Sequence, residues 1–460
     1  MTIDPETISR LVADLTPAFG ARLSVSAALR AQHGRGESWH EVQAPDVVVF
    51  PETTAEVAMV VARCAAAKVP IVPFGAGTSL EGQVNAVEGG VSIDLSRMNR
   101  VITVNAADLD CAVEAGVTRK QLNANLRDQG LFFPIDPGAE ATIGGMVATR
   151  ASGTNAVKYG TIRDNVLGLT VVLPSGEVVH TGGRARKSAA GYDLTRLMIG
   201  SEGTLGIVTE ITLRLHGIPE AVAAATVGFT TVDAAVATVI AVIQSGVGVA
   251  RIELMDEVSV DAVNRHSKLS LPERPTLFLE FHGSDAGVKE QAESVEAFAA
   301  ASGGLGFTWA VKAEDRSRLW EGRHNAYYAG LALRPNSKGL VTDVCVPISR
   351  LAECIAATKA DLANCSMPAP LLGHVGDGNF HVCFIMDPDR PEELHEAERL
   401  HDKMVHRAQA MGGTCTGEHG IGLGKIKHLA TEAGGGVAVM KAIKAAIDPD
   451  GIMNPGKMFG

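Results

Sequence analysis

Three glycine-rich runs fall within the first 218 residues, and they restrict the fold more than any other feature of the chain. The first reads Pro73-Phe74-Gly75-Ala76-Gly77-Thr78-Ser79. The second joins Pro137-Gly138 to Thr142-Ile143-Gly144-Gly145-Met146, and the third is Gly200-Ser201-Glu202-Gly203-Thr204-Leu205-Gly206. Lacking Cβ atoms, such runs let consecutive main-chain amides converge on phosphate oxygens. Thr78 and Ser79 add hydroxyl donors. Any one run, read alone, is more often a simple turn. No Gly-x-Gly-x-x-Gly opens a strand–helix–strand unit, so a nicotinamide site of the Rossmann kind is disfavoured. With 50 glycines in 460 residues, the chain is suited to approach a large ligand closely.

Around these runs the texture is α+β. Residues 46–50 form a short β-branched strand, and Thr53 or Thr54 caps a helix over 57–67 with Glu56 in its first turn. A strand over 69–73 ends in the first glycine run, and 90–94 is strand-like again. Residues 167–173 and 178–181 make a hairpin about Pro174-Ser175-Gly176-Glu177, and 205–215 alternates as a closing strand. The pattern changes at Gly217-Ile218-Pro219. Helices are expected beyond it over 232–244, 287–301 and 314–333, and strands over 252–255, 276–281, 340–346 and 380–384. After 399 the chain is mostly helical. A chain of 460 residues exceeds one hydrophobic core, and the expected domains are 1–218, 219–398 and 399–460.

The formal charge of −11 argues against nucleic acid as a partner, though local Arg and Lys can still receive a small anion. Seven cysteines with no Cys-x-x-Cys pair point to free thiols in a reducing compartment. The amino terminus, MTIDPETISRLVADL, reads as a capped amphipathic helix and not as a targeting peptide. The most apolar stretch, 232–250, contains Asp233 and Gln244 and lacks the length of a membrane span. A cytoplasmic enzyme is expected, peripheral at most to a membrane surface, with a second copy of the chain carried as a candidate partner.

The second chemically loaded region is Gly373-His374-Val375-Gly376-Asp377-Gly378-Asn379-Phe380-His381, followed later by Gly417-Glu418-His419-Gly420-Ile421-Gly422. The two histidines flank a tight turn and face one small volume. Two imidazoles and a carboxylate are a first shell for Zn²⁺, Mn²⁺ or Fe²⁺; a lone histidine is more often a structural one. Trp320, Arg323 and Tyr327 fall at i, i+3 and i+7 of the 314–333 helix and share a face. Arg323 and Lys338 are candidate carboxylate anchors, or equally ordinary surface charges.

The segments PFGAGTSLEGQ, PGAEATIGGMVATRASGTNAVKYGTIRDNV and GSEGTLGIVTEITLRL resemble, in order and spacing, the FAD domain of the vanillyl-alcohol-oxidase superfamily. GHVGDGNFH and TGEHGIG resemble the metal and base motifs of its FAD-linked D-lactate, D-2-hydroxyglutarate and glycolate dehydrogenases. The resemblance implies a two-part FAD-binding domain, an α/β substrate (cap) domain and a helical carboxy-terminal segment returning to the flavin. It places the pyrophosphate on Gly75, Ala76, Gly77, Thr78 and Ser79. Further cofactor contacts implied are Pro73, Pro137, Gly138, Thr142, Gly144, Gly145, Ala148, Ser152, Tyr159, Gly160, Glu202, Gly206, Ile207 and Asn454. No histidine lies within 75–79 or 152–160, so the FAD is expected to be non-covalent.

By position, the resemblance makes His374, His381 and Glu418 metal ligands for zinc, manganese or iron, and His419 the general base. Asn379, Arg323, Tyr327 and Lys338 become substrate contacts. The implied reaction oxidises a small D-2-hydroxy acid to the 2-keto acid, by metal-assisted proton abstraction and hydride transfer to flavin N5. The acceptor would be a quinone, a cytochrome or an electron-transfer flavoprotein. WEGRHNAYYAGLALRPNSKGLVTDVCVPISRL resembles the D-lactate branch, because Tyr327 stands where the hydroxyglutarate branch tends to carry a smaller hydroxyl residue. The rivals are a glycolate oxidase flavin subunit, a D-2-hydroxyglutarate dehydrogenase, a metal-dependent hydrolase and a non-catalytic flavin scaffold.

Overall fold

The computed structural model describes residues 3–310 and 312–460. Met1 and Thr2 of the amino-terminal segment lie outside the described residues. From Asp4, whose side chain accepts from Glu6 N, the helix Pro5–Phe19 follows. The chain forms two compact units. One comprises the chain through Ser152, Gly160–Ile218 and Glu418–Gly460; the other comprises Gly153–Tyr159 and Pro219–Gly417.

Among the described residues the first unit holds a four-stranded and a five-stranded sheet around one apolar core, with a small two-stranded sheet of Leu131–Phe132 and His216–Gly217 beside them. In the four-stranded sheet, Val47–Val49, Val91–Asp94 and Ile71–Phe74 run parallel, with Leu23–Ser24 antiparallel at the edge. Val47–Val49 is buried throughout, as strands covered on both faces are. Helix Thr54–Ala67 begins where Thr53 accepts from Glu56 N, and it buries Val57, Val60, Val61 and Cys64. That i, i+3, i+4, i+7 spacing makes a single apolar stripe. The five-stranded antiparallel sheet has the order Val101–Asn105, Asp110–Glu114, Ile207–Arg214, Val166–Val172, Val178–Gly182. The last two strands are the expected hairpin. Ile452 and Met453 enter the same core. Ile71 N donates to Ile452 O at 2.8 Å and Asn454 N to Ile71 O at 2.8 Å, so the carboxy-terminal strip is fastened to the strand that feeds the first glycine run.

The second unit is built on an eight-stranded antiparallel sheet. Its order is Leu305–Ala310, Ala221–Gly228, Thr276–Gly283, Val249–Met255, Leu371–Gly373, Asn379–Met386, Lys338–Val341, with Val344–Cys345 also on Asn379–Met386. Asn379–Met386 is buried along its whole length. Helices Val232–Gln244, Asp285–Ala301, Leu351–Leu362 and Pro391–Ala410 belong to this unit. Among the described residues no helix is long and apolar enough to cross a membrane.

Two expectations are corrected. The 314–333 helix is two helices, Ala313–His324 and Ala326–Ala332, separated at Asn325 with φ −81° and ψ 4°. Asn competes for its own backbone and favours helix ends over interiors. Tyr327 therefore does not continue the face of Trp320 and Arg323. The 340–346 strand is likewise two pieces, Lys338–Val341 and Val344–Cys345. At the break, Thr342 Oγ1 accepts from Val382 N and Asp343 Oδ1 from Asn379 Nδ2, both at 2.8 Å.

The entry to strand Val91–Asp94 depends on a glycine. Gly90 has φ +89°, and a Cβ there would lie 2.1 Å from Pro70 O. Gly90→Ala is therefore expected to destabilise the protein by more than about 1 kcal/mol, read as a lower urea midpoint with an unchanged slope.

Candidate active site

The first glycine run begins where strand Ile71–Phe74 ends. A Cβ on Gly75 would lie 2.4 Å from Thr142 Oγ1, and Gly77 has φ +70°. Thr142 caps helix Ile143–Thr149 by accepting from Gly145 N at 3.2 Å. The first two glycine runs thus meet only because a side chain is missing. Among the described residues no main-chain carbonyl accepts from the amides of residues 76–80, and Ser79 Oγ is buried without a hydrogen-bond partner. Asn454 Nδ2 donates to Gln83 O at 3.1 Å and Glu202 O at 2.7 Å. Both partners can only accept, so the amide orientation is set, and Asn454 Oδ1 is a buried acceptor with no partner among the described residues. Open amides, a hydroxyl and an acceptor suit a cofactor bearing both phosphates and ring N–H groups. The residues fit FAD.

Other residues expected at the cofactor have work within the protein. A Cβ on Gly144 would lie 2.7 Å from Ala115 Cβ, and one on Gly206 2.8 Å from Val171 Cγ1 and from Val172 O; these glycines let backbone pack on backbone. Gly160 abuts Asp164, which closes a capping box with Thr161. Gly138, at φ +82°, turns in open space. Pro73 and Ile207 lie in strands, Ala76 is exposed, and Thr78, Pro137, Ala148 and Ser152 are half-buried. Tyr159 belongs to the second unit and pairs with His282 Nδ1 at 2.7 Å, while His282 Nε2 meets Glu280 at 2.8 Å. Burial pushes the phenol up to about 12, so Tyr159 is a neutral hydroxyl. Both carboxylate oxygens of Glu202 accept main-chain amides, from Ile421 at 2.7 Å and Gly422 at 2.8 Å. Burial pushes that carboxyl above its ordinary range against the pull of these amides.

In the second unit the His374 and His381 rings stand nearly perpendicular, with centroids 5.5 Å apart, and each offers a ligand atom within 4.8 Å of the other's. His374 Nδ1 bonds Glu253 Oε1 and His381 Nδ1 bonds Thr342 O, each at 2.8 Å. A carbonyl oxygen only accepts, so Nδ1 of His381 carries the proton and Nε2 the lone pair. Arg323 is not a surface charge: it is 6% exposed, and its Nη2 donates to Glu253 Oε2 at 2.6 Å. Among the described residues its Nε has no hydrogen-bond partner, though it is buried. Burial alone would push the Glu253 carboxyl up, but the neighbouring His374 and Arg323 outweigh it and hold the carboxyl below its ordinary value. Asn379 Nδ2 braces Asp343 Oδ1 and Val344 O. Lys338 is exposed at the start of its strand. The Tyr327 ring covers Gly339, where a Cβ would lie 2.8 Å from its Cε2. Glu418 and His419 are carried by the first unit, where Gln83 Nε2 donates to His419 O at 2.8 Å.

Comparison with known proteins fits this geometry. Residues 218–458 match the family model for FAD linked oxidases, C-terminal domain, and residues 45–182 match an FAD binding domain. A probable mitochondrial D-lactate dehydrogenase of Danio rerio is 51% identical, over 98% of this chain and 92% of that protein. The mitochondrial D-lactate dehydrogenase [cytochrome] of Arabidopsis thaliana is 50% identical, over 93% of this chain and 76% of its own. The chain belongs to the FAD-linked D-lactate dehydrogenase family. The solved structure of p-cresol methylhydroxylase with substrate bound aligns with a TM-score of 0.83 at 17% identity, covering 99% of this chain and 98% of that one. The shared fold is the vanillyl-alcohol-oxidase type. As a member of this family the chain is an FAD-dependent oxidoreductase acting on a CH–OH donor.

Sequence reasoning missed Glu253, Asp343 and Gln83. A visible signal for Glu253 was an acid between Ile252 and Leu254 in a strand that is apolar apart from Arg251; such a charge inside a covered strand needs a partner. Gln83 lies just past the first glycine run and carries no local signal. Glu253→Ala is expected to cost about 3–5 kcal/mol, since it leaves Arg323 and His374 buried without their anion. Urea unfolding followed by tryptophan fluorescence measures this, Trp320 lying under the Arg251 guanidinium at 4.6 Å.

Proposed function

We propose that this chain oxidises D-lactate, or a D-2-hydroxy acid with a similarly short alkyl group, to the 2-keto acid on bound FAD and passes the electrons to a cytochrome. The observation that carries the reading is the buried bridge Arg323–Glu253–His374 beside His381. It keeps a guanidinium suited to a carboxylate one side chain away from imidazoles suited to a divalent cation. The ligands proposed for that cation, zinc or manganese with iron as third candidate, are His374, His381 and Glu418. Glu418 follows Gly417, the last residue of the second unit. Thr416 Oγ1 donates to Asp343 Oδ2 at 2.7 Å, and Asp343 lies 3.7 Å from His381 Nδ1. Two peptide steps, at most about 7.5 Å between Cα atoms, separate Glu418 from that anchored residue.

When bound, FAD supplies a two-electron acceptor and the cation supplies Lewis acidity. Arg323 and Lys338 bind the substrate carboxylate and so select the face of the α-carbon presented for oxidation. Asn379, with its amide nitrogen braced by Asp343 and Val344, helps hold the substrate through its oxygen. His419 takes the hydroxyl proton as general base. Tyr327, whose ring covers Gly339, the residue after Lys338, is proposed as an aromatic wall, which suits a methyl group and offers no counter-charge to a second carboxylate. Together with the D-lactate names of relatives at 50% and 51% identity, this favours D-lactate over glycolate and D-2-hydroxyglutarate. A hydrolase would leave the FAD-binding domain without a use. The acceptor named for the Arabidopsis relative is a cytochrome, and we extend that acceptor to this chain. Among the described residues none of the seven cysteines is in a disulfide, which suits the reducing, cytosol-like compartment we propose for the chain.

Anaerobic addition of D-lactate is expected to bleach the flavin absorption, with L-lactate leaving it unchanged and ferricytochrome c restoring the colour. Equal bleaching by both enantiomers, or by neither, overturns the substrate assignment. Prolonged chelation is expected to lower turnover at least about 10-fold, with Zn²⁺ or Mn²⁺ restoring it. Full activity in protein shown free of metal by elemental analysis removes the cation from the mechanism.

A further inference from the structure

His419 stands in a stretch with no regular structure to hold it. Residues 411–425 contain neither helix nor strand, and Gly420 and Gly422 adopt φ +81° and +49°. What holds the stretch comes from far away in the chain. Gln83 Nε2 donates to His419 O at 2.8 Å, and Glu202 receives Ile421 N on Oε1 and Gly422 N on Oε2 at 2.7 and 2.8 Å. A Cβ on Gly420 would lie 2.6 Å from Glu202 Oε1 and 3.0 Å from Gln83 Nε2, so both side chains press on the residue after His419.

The two holders are held in turn. Glu202 is 4% exposed and sits at φ +53°, a left-handed conformation that costs a non-glycine residue free energy. Its amide donates to Ala148 O at 2.9 Å. Asn454 Nδ2 ties its carbonyl to that of Gln83, at 2.7 and 3.1 Å. A buried carboxylate matched to two successive amides is a poor place for any other side chain. A carboxamide has one accepting oxygen and would turn its NH₂ group against the second amide, and Asp is a methylene short.

We infer that Glu202 and Gln83 are positioning residues for His419, setting the main chain on both sides of the imidazole. The inference rests on the reading of His419 as general base. It differs from the cofactor-contact role implied for Glu202, because both carboxylate oxygens already have protein donors.

The test is a double-mutant cycle in FAD-loaded protein with D-lactate. Glu202→Gln is expected to lower kcat about 10- to 100-fold, the scale of a misplaced catalytic group, with KM within about 3-fold and the FAD-to-protein ratio and visible spectrum unchanged. In a His419→Ala background the same change is expected to cost less than about 3-fold, because residues acting through one group are not additive. Gln83→Met, which keeps the side-chain length and removes the donor, should follow the same pattern more weakly and serves if Glu202→Gln fails to fold. An equal cost in both backgrounds, or loss of FAD with kcat per bound flavin unchanged, overturns the inference and leaves His419 as base. A His419→Ala variant as fast as the parent overturns the base reading and the inference together.

Discussion

A carboxylate 1% exposed, with a guanidinium 2.6 Å from one oxygen and an imidazole 2.8 Å from the other, governs the second unit. Burying Glu253 is unfavourable unless both partners stay. Its strand, Val249–Met255, the helix Ala313–His324 and the segment after strand Leu371–Gly373 are therefore tied at one point. The substrate anchor proposed at Arg323 and the cation ligand proposed at His374 share a single acid. Neither can shift without disturbing the other, and a site that must hold a carboxylate and a hydroxyl of one small molecule in fixed relation needs that coupling.

The first unit uses the same device on different material. Its reactive stretches are glycine-rich loops, which carry function well and hold position badly. Buried polar side chains supply the rigidity that hydrogen-bonded ladders supply elsewhere. Glu202 fixes the amides of Ile421 and Gly422, and the Glu81–Lys425 pair, with nitrogen and oxygen 2.8 Å apart and both residues at most 5% exposed, fixes the turn that follows. The close approaches these loops make would not survive a Cβ: one on Gly422 would lie 2.1 Å from Glu81 O. Small residues allow the contact, and a buried charge makes one arrangement of it preferred.

Local order explains what was legible in the sequence. The stripe Val57, Val60, Val61, Cys64 and the hairpin of Val166–Val172 with Val178–Gly182 are statements about neighbours within one or two turns of chain. The glycine runs and the two histidine motifs announce themselves by composition. The partners of the buried charges do not. Glu253 meets Arg323 across 70 residues and His374 across 121, and Glu202 meets Ile421 across 219; periodicity carries no information over such separations. The breaks at Asn325 and at Thr342-Asp343 were invisible for a related reason. Each interrupts a segment whose apolar pattern continues: at Thr342 a side chain takes over a main-chain hydrogen bond, and Asn325 is a residue type that favours helix ends over interiors.

The second of these breaks shows what the interruption is for. In an unbroken strand the carbonyl of Thr342 would serve the ladder to Asn379–Met386. Instead the Thr342 hydroxyl takes the amide of Val382 at 2.8 Å, and the released carbonyl takes Nδ1 of His381 at 2.8 Å. One side chain substitutes for its own backbone, and the imidazole is set in the tautomer whose lone pair lies on Nε2. His374 is oriented by a carboxylate and His381 by a carbonyl. A cation held by His374 and His381 would thus meet two imidazoles fixed by different acceptors, one of them the acid that also holds Arg323.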